Sequence, residues 1–135
     1  MKIAIVISQF NKEISNALLD GAKACYEKNN FTLNPDLLVY EVPGAFEIPA
    51  IVKQLLNNNN DLDAIVTLGC IIKGETANFD LICSAITNGI MQISIDQKKP
   101  IGNAIITCFN KDQALNRLDK GKEAATAILE VLKIK

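Results

Sequence analysis

Four short apolar runs, each followed by a longer stretch whose apolar residues recur every three or four positions, constrain this chain more than anything else in it. The runs are residues 2–8 (Lys-Ile-Ala-Ile-Val-Ile-Ser), 37–42 (Leu-Leu-Val-Tyr-Glu-Val), 64–68 (Ala-Ile-Val-Thr-Leu) and 101–107 (Ile-Gly-Asn-Ala-Ile-Ile-Thr). The first and third are nearly unbroken and β-branched, the pattern of strands buried on both faces, and such strands pair in parallel. No hairpin turn joins one run to the next, so each strand must reach its neighbour through a helix laid across the sheet. Helices are expected over 12–29 (Ile14, Ala17, Leu18, Ala22 and Cys25 on one face), from Ile48 to Leu56, and over 77–95 (Phe79, Ile82, Cys83, Ile86, Ile90 and Ile93). The segment 110–132 reads either as one helix or as two hinged near Gly121. Pro49 fits only a first helical turn, which leaves Gly44, Ala45, Phe46 and Glu47 in a loop.

Right-handed crossovers on this pattern give an α/β three-layer sandwich: a flavodoxin-like four-stranded parallel sheet with helices on both faces, formed by residues 1–135 as a single domain. A chain of 135 residues buries one core and has no room for a second. With 5% aromatic residues and no Trp, that core must be aliphatic. A net charge of -1 with scattered lysines forms no basic stripe, which argues against nucleic acid or a membrane surface as partner and for small molecules or further copies of the chain. Cys25, Cys70, Cys83 and Cys108 lie in or beside apolar elements without a Cys-x-x-Cys pair, as reduced thiols of a cytoplasmic protein do. There is no histidine, and the cysteine and carboxylate spacings offer no zinc or iron set, so no metal is expected. The first apolar run is too short for a secretion signal, and no stretch approaches membrane-spanning length.

Ligands of open parallel sheets sit outside the carboxyl ends of the strands. That rule gathers Phe10, Gly44 to Glu47, residues 70–78 and Asn103 toward one rim. The stretch from Gly69 to Asp80 closes the third strand and opens the third helix. Unpaired amides at the helix start, the Lys73 cation, a glycine at 74 and the Thr76 hydroxyl together make an anion site, although a plain Thr-capped corner uses the same parts. Phe10 either staples the first helix or stacks on a ligand. Glu47 is either an ordinary first-turn acid or an acceptor for a ligand's hydroxyl and amine groups.

Two long motifs carry a resemblance. Val42-Pro43-Gly44-Ala45-Phe46-Glu47-Ile48-Pro49 and Gly69-Cys70-Ile71-Ile72-Lys73-Gly74-Glu75-Thr76, the second continued by Phe79-Asp80, resemble the 6,7-dimethyl-8-ribityllumazine synthase family. Phe10-Asn11, Lys120-Gly121 and Glu123-Ala124-Ala125 extend the likeness over nearly the whole chain. The resemblance implies an enzyme of riboflavin biosynthesis that condenses 5-amino-6-ribitylaminouracil with 3,4-dihydroxy-2-butanone 4-phosphate, with no metal or redox cofactor. It implies that Phe10 stacks on the pyrimidinedione, that Gly44, Ala45, Phe46 and Glu47 line the ribityl and ring pocket, and that Cys70, Ile71 and Ile72 border the ring. Glu75 and Thr76 would hold the phosphate and Arg117 would clamp it, with Lys120 nearby. Asn103 and Arg117 would come from a neighbouring subunit, so the protein would be a homo-oligomer, a pentamer or larger, with sites at subunit interfaces.

The chain departs from the family at Asn78, which stands where a histidine is usual, at Asn103, where an aromatic residue is usual, and at Phe109, where an acid is common. Asparagine orients a substrate but does not exchange protons near neutral pH. The segment between Arg117 and Lys120 is also shorter than the family's linker. These departures define an alternative reading, a catalytically silent pteridine- or flavin-binding or assembly homologue. An archaeal type of riboflavin synthase, similar in fold, fits the motifs less well.

Overall fold

The β-branched run at the start of the chain forms the strand around which the rest packs. The structure, a computed structural model, describes residues 1–75 and 78–134. In it β1 (Ile3–Ser8) leads through α1 (Lys12–Lys28) to β2 (Leu37–Val42), then through a 3₁₀ turn (Ala45–Glu47) into α2 (Ile48–Asn58). There follow β3 (Ala64–Ile72), α3 (Asn78–Gln97), β4 (Ile101–Cys108), α4 (Lys111–Leu115) and α5 (Lys120–Leu132). The strands are parallel in the order β2-β1-β3-β4, which fits the flavodoxin-like parallel sheet expected from the sequence.

Side chains alternate across a strand, so the sheet feeds two cores. Ile3, Ile5, Ile7, Val66, Leu68, Ala104 and Ile106 pack against α1 and α5. Ala4, Val6, Ile65 and Ile105 pack on the opposite face, against Ile48, Val52, Ile86 and Ile90 of α2 and α3. Burial of both faces explains why β1 carries no polar residue before Ser8. The Ser8 side chain takes the room beside Gly69 in the neighbouring strand, where an added Cβ would lie 2.5 Å from Ser8 Oγ.

Several boundaries differ from the sequence reading. The third strand does not stop at Leu68: Gly69, Cys70, Ile71 and Ile72 continue it, because β4 runs alongside and pairs with each of them in register through Cys108. The loop proper therefore begins at Lys73. The last helical segment is two helices, but Gly121 is not their hinge. The chain turns at 116–119, and Gly121 lies in the first turn of α5, where an added Cβ would collide with the backbone of Leu18 in α1. On α1, Ser15 and Tyr26 are fully buried where Ala17 and Cys25 were expected to be. Tyr26 is admitted because its hydroxyl donates to the Ala125 carbonyl of α5 at 3.1 Å, and burial raises its pKa, keeping the proton in place. Helix α3 buries only Ile86 and Ile90 completely, leaving Leu81, Met91 and Ile95 exposed.

Candidate active site

Three groups of side chains collect around the carboxyl ends and one edge of the sheet. The first follows β1. Asn11 adopts a left-handed conformation (φ 57°), which asparagine tolerates, and its side chain donates to the Cys70 carbonyl at 3.2 Å, tying the end of β1 to β3. The Ser15 hydroxyl donates to the Phe10 carbonyl, so the backbone of Phe10 is fixed while its ring is 69% exposed. That ring does not staple α1, since the residue it would meet there is Ser15. It lies over Gly44 instead: an added Cβ at Gly44 would sit 3.1 Å from Phe10 Cδ2 and 3.2 Å from Glu47 Oε1. Phe46 stands beside them, 64% exposed, with Ala45 half-buried beneath.

The second group closes the ends of β3 and β4. The Lys73 amide donates to the Cys108 carbonyl at 2.9 Å, and the Lys73 ammonium lies 5.3 Å from the centre of the Phe109 ring. The Phe79 ring, on the first turn of α3, is 6.0 Å from that of Phe109. Among the described residues nothing lies within 4 Å of where a Cβ at Gly74 would sit, and Glu75 and Asn78 are exposed; Thr76 lies outside the described residues. Cys70 is buried below, with Ile71 and Ile72 half-buried at the rim. Burial first, and then the neighbouring Cys108, push the Cys70 thiol up to about 12, so it is protonated at neutral pH and no ready nucleophile.

The third group lies apart. Asn103, Thr107, Arg117 and Lys120 line a concavity of about 280 Å³ along the outer edge of β4. Arg117 donates to the Gln113 carbonyl at 2.7 Å, and Asn103 Oδ1 accepts from the Ile105 amide at 3.0 Å. All 135 residues match the family model described as 6,7-dimethyl-8-ribityllumazine synthase. The chain belongs to the 6,7-dimethyl-8-ribityllumazine synthase family. It is 39% identical to the 6,7-dimethyl-8-ribityllumazine synthase of Pediococcus pentosaceus, over 99% of this chain and 88% of that one. It is 37% identical to the enzyme of the same name from Streptomyces avermitilis, over 94% and 80% respectively.

Within this lumazine synthase family chain the expected site residues are not all brought together. Phe10, Gly44, Ala45, Phe46 and Glu47 gather at the β1–β2 end of the rim, and Cys70, Ile71, Ile72, Glu75 and Asn78 follow at β3 and α3. Asn103, placed on the rim from its sequence position, sits instead within β4, five residues short of the strand's end and facing the outer edge with Arg117 and Lys120. The sequence gives no warning, because nothing in a parallel-strand pattern tells which strand is an edge. Since β3 stands between β1 and β4, Phe10 at the end of β1 is about 10 Å from the edge group in strand spacing alone. The hydrogen bond that Asn11 makes to β3 and the contact of Phe109 with Lys73 were missed. Their signal is positional: Phe109 follows directly on the end of β4, and Asn11, like Phe10, lies within three residues of the end of β1.

Proposed function

We infer that this chain condenses 5-amino-6-ribitylaminouracil with 3,4-dihydroxy-2-butanone 4-phosphate to 6,7-dimethyl-8-ribityllumazine, with release of phosphate and water. The observation that carries this reading is the family match over the entire length, in a chain that keeps an exposed Phe10 over the Gly44–Glu47 loop. Phe10 and Phe46 offer ring faces to the pyrimidinedione, and Glu47 accepts hydrogen bonds from its hydroxyl-rich side chain. Lys73 and Glu75, in the loop that follows β3, and Thr76, next but one to Asn78 in sequence, receive the phosphate with the amides of α3, and Arg117 supplies a forked donor. Asn78 orients and does not exchange protons; the substrate amine is itself nucleophilic, and the departing phosphate carries the proton. Holding two substrates in reacting geometry accounts for much of the rate.

Arg117, Lys120 and Asn103 lie on the free edge of β4, about two strands from Phe10, so a complete site takes its edge group from a neighbouring copy. The working protein is then a homo-oligomer, a pentamer or larger, of single-domain subunits acting in the cytoplasm. Among the described residues no helix is long and apolar enough to cross a membrane. Mixing the purified protein with both substrates and following lumazine fluorescence tests the reading. Product formation well above the uncatalysed background is expected; folded protein that binds the pyrimidine without accelerating the reaction overturns it and returns the silent-binder alternative.

A further inference from the structure

The geometry points to Phe109 as a positioning residue for the anion-binding loop, one that holds the Lys73 ammonium in place without neutralising it. The inference rests on the function proposed above for its natural ligand. Its structural basis is independent of that function.

Ile72 and Cys108 are the last paired residues of β3 and β4, so Lys73 and Phe109 leave the sheet side by side. The Lys73 amide is tied to the Cys108 carbonyl, which fixes the root of its side chain. Phe109 is fixed equally well from its own side. Its amide donates to Gln113 Oε1 at 2.7 Å, while the Gln113 amide donates to Asn110 Oδ1 at 2.9 Å, a reciprocal arrangement of the capping-box kind at the start of α4. With its backbone so held, the ring meets Phe79 on one side and Lys73 on another.

A buried aromatic would need no explanation, but Phe109 is 62% exposed. What it offers the loop is a ring face, whose negative quadrupole attracts an ammonium without removing its charge. Among the described residues Lys73 forms no ion pair. Its positive charge therefore stands at the mouth of residues 73–75, where nothing among the described residues crowds the Cβ position of Gly74. A carboxylate at position 109 would hold the lysine as firmly and cancel the charge that an incoming phosphate meets.

The test is a double-substitution cycle on the full chain, reading the Kd of inorganic phosphate by calorimetry and the KM of each substrate. Phe109→Ala is expected to weaken phosphate binding and raise the butanone phosphate KM by about two- to fivefold, the range of an exposed cation–π contact. The pyrimidine KM and kcat should stay within error. Phe109→Tyr should restore the wild-type values, and Phe109→Glu should weaken phosphate binding more than alanine does. In a Lys73→Met background Phe109→Ala should add nothing, since the ring acts through the ammonium. An unchanged phosphate Kd in Phe109→Ala, an equal rise in both KM values, or an effect that persists without Lys73 overturns the inference, as does a wild-type protein with no affinity for phosphate. Phosphate binding that depends on Phe109 in a protein that makes no lumazine would sustain it while removing the proposed activity. Thermal unfolding of each variant, expected to match wild type for so exposed a ring, excludes a folding defect.

Discussion

Phe10 and Asn78 mark the two ends of what single residues reveal here. Phe10 is legible in the sequence because a large apolar side chain just beyond the end of a buried strand has no core position to occupy; in the structure its ring is open and lies over Gly44. Asn78 is legible only against a family pattern, since an asparagine at a helix start is otherwise an ordinary choice. Its chemistry yields a prediction. Asn78→His installs a group that titrates near pH 6.5, so turnover should rise by about tenfold or more, or its pH optimum should move toward neutrality. Identical pH–rate profiles for the two proteins would show that position 78 transfers no proton. Arg117 yields another. A charged, forked donor to phosphate is worth roughly 10- to 100-fold in affinity, so Arg117→Ala should raise the butanone phosphate KM by about that factor and leave the pyrimidine KM nearly unchanged. Equal increases for both substrates would refute the assignment.

Strands and helices were readable to the extent that a single periodicity governed them. β2 runs over the residues expected, and β1 and α1 differ from expectation by one residue at an end, since each has clear punctuation. β3 was cut short because Gly69 reads as a turn residue; the pairing with β4 that extends it is long-range and invisible locally. The apolar pattern of α3 overstated its burial, because it does not distinguish residues facing the sheet from those left on the surface. The α1–α5 contact was likewise beyond local reading, yet it sets a sharp steric demand. Gly121 admits the Leu18 backbone at the closest approach of the two helices. Gly121→Ala should therefore destabilise the protein by about 1–3 kcal/mol, the cost of overpacking, despite the better helix propensity of alanine. Chemical denaturation measures this; a more stable variant would mean that α5 shifts freely.

At the scale of the whole molecule, the strand order decides what one chain can do alone. The rim residues follow β1, β2 and β3, whereas Arg117 and Lys120 flank the far edge of β4. If a neighbour supplies the edge group, a Glu47→Ala copy and an Arg117→Ala copy, each deficient by itself, should complement one another. Co-assembled in equal amounts at random around a ring, they should regain about a quarter of the wild-type sites. No recovery in verified mixed assemblies would place both groups in the same subunit. The sheet that separates these groups also links positions far apart in the chain. Ser8 Oγ takes the space a side chain at position 69 would need, 61 residues away. Lineages descended from this sequence are not free to drift at the two sites independently: a methyl gained at 69 is accommodated only where the hydroxyl at 8 turns away or is lost, so what is tolerated at one position depends on the other.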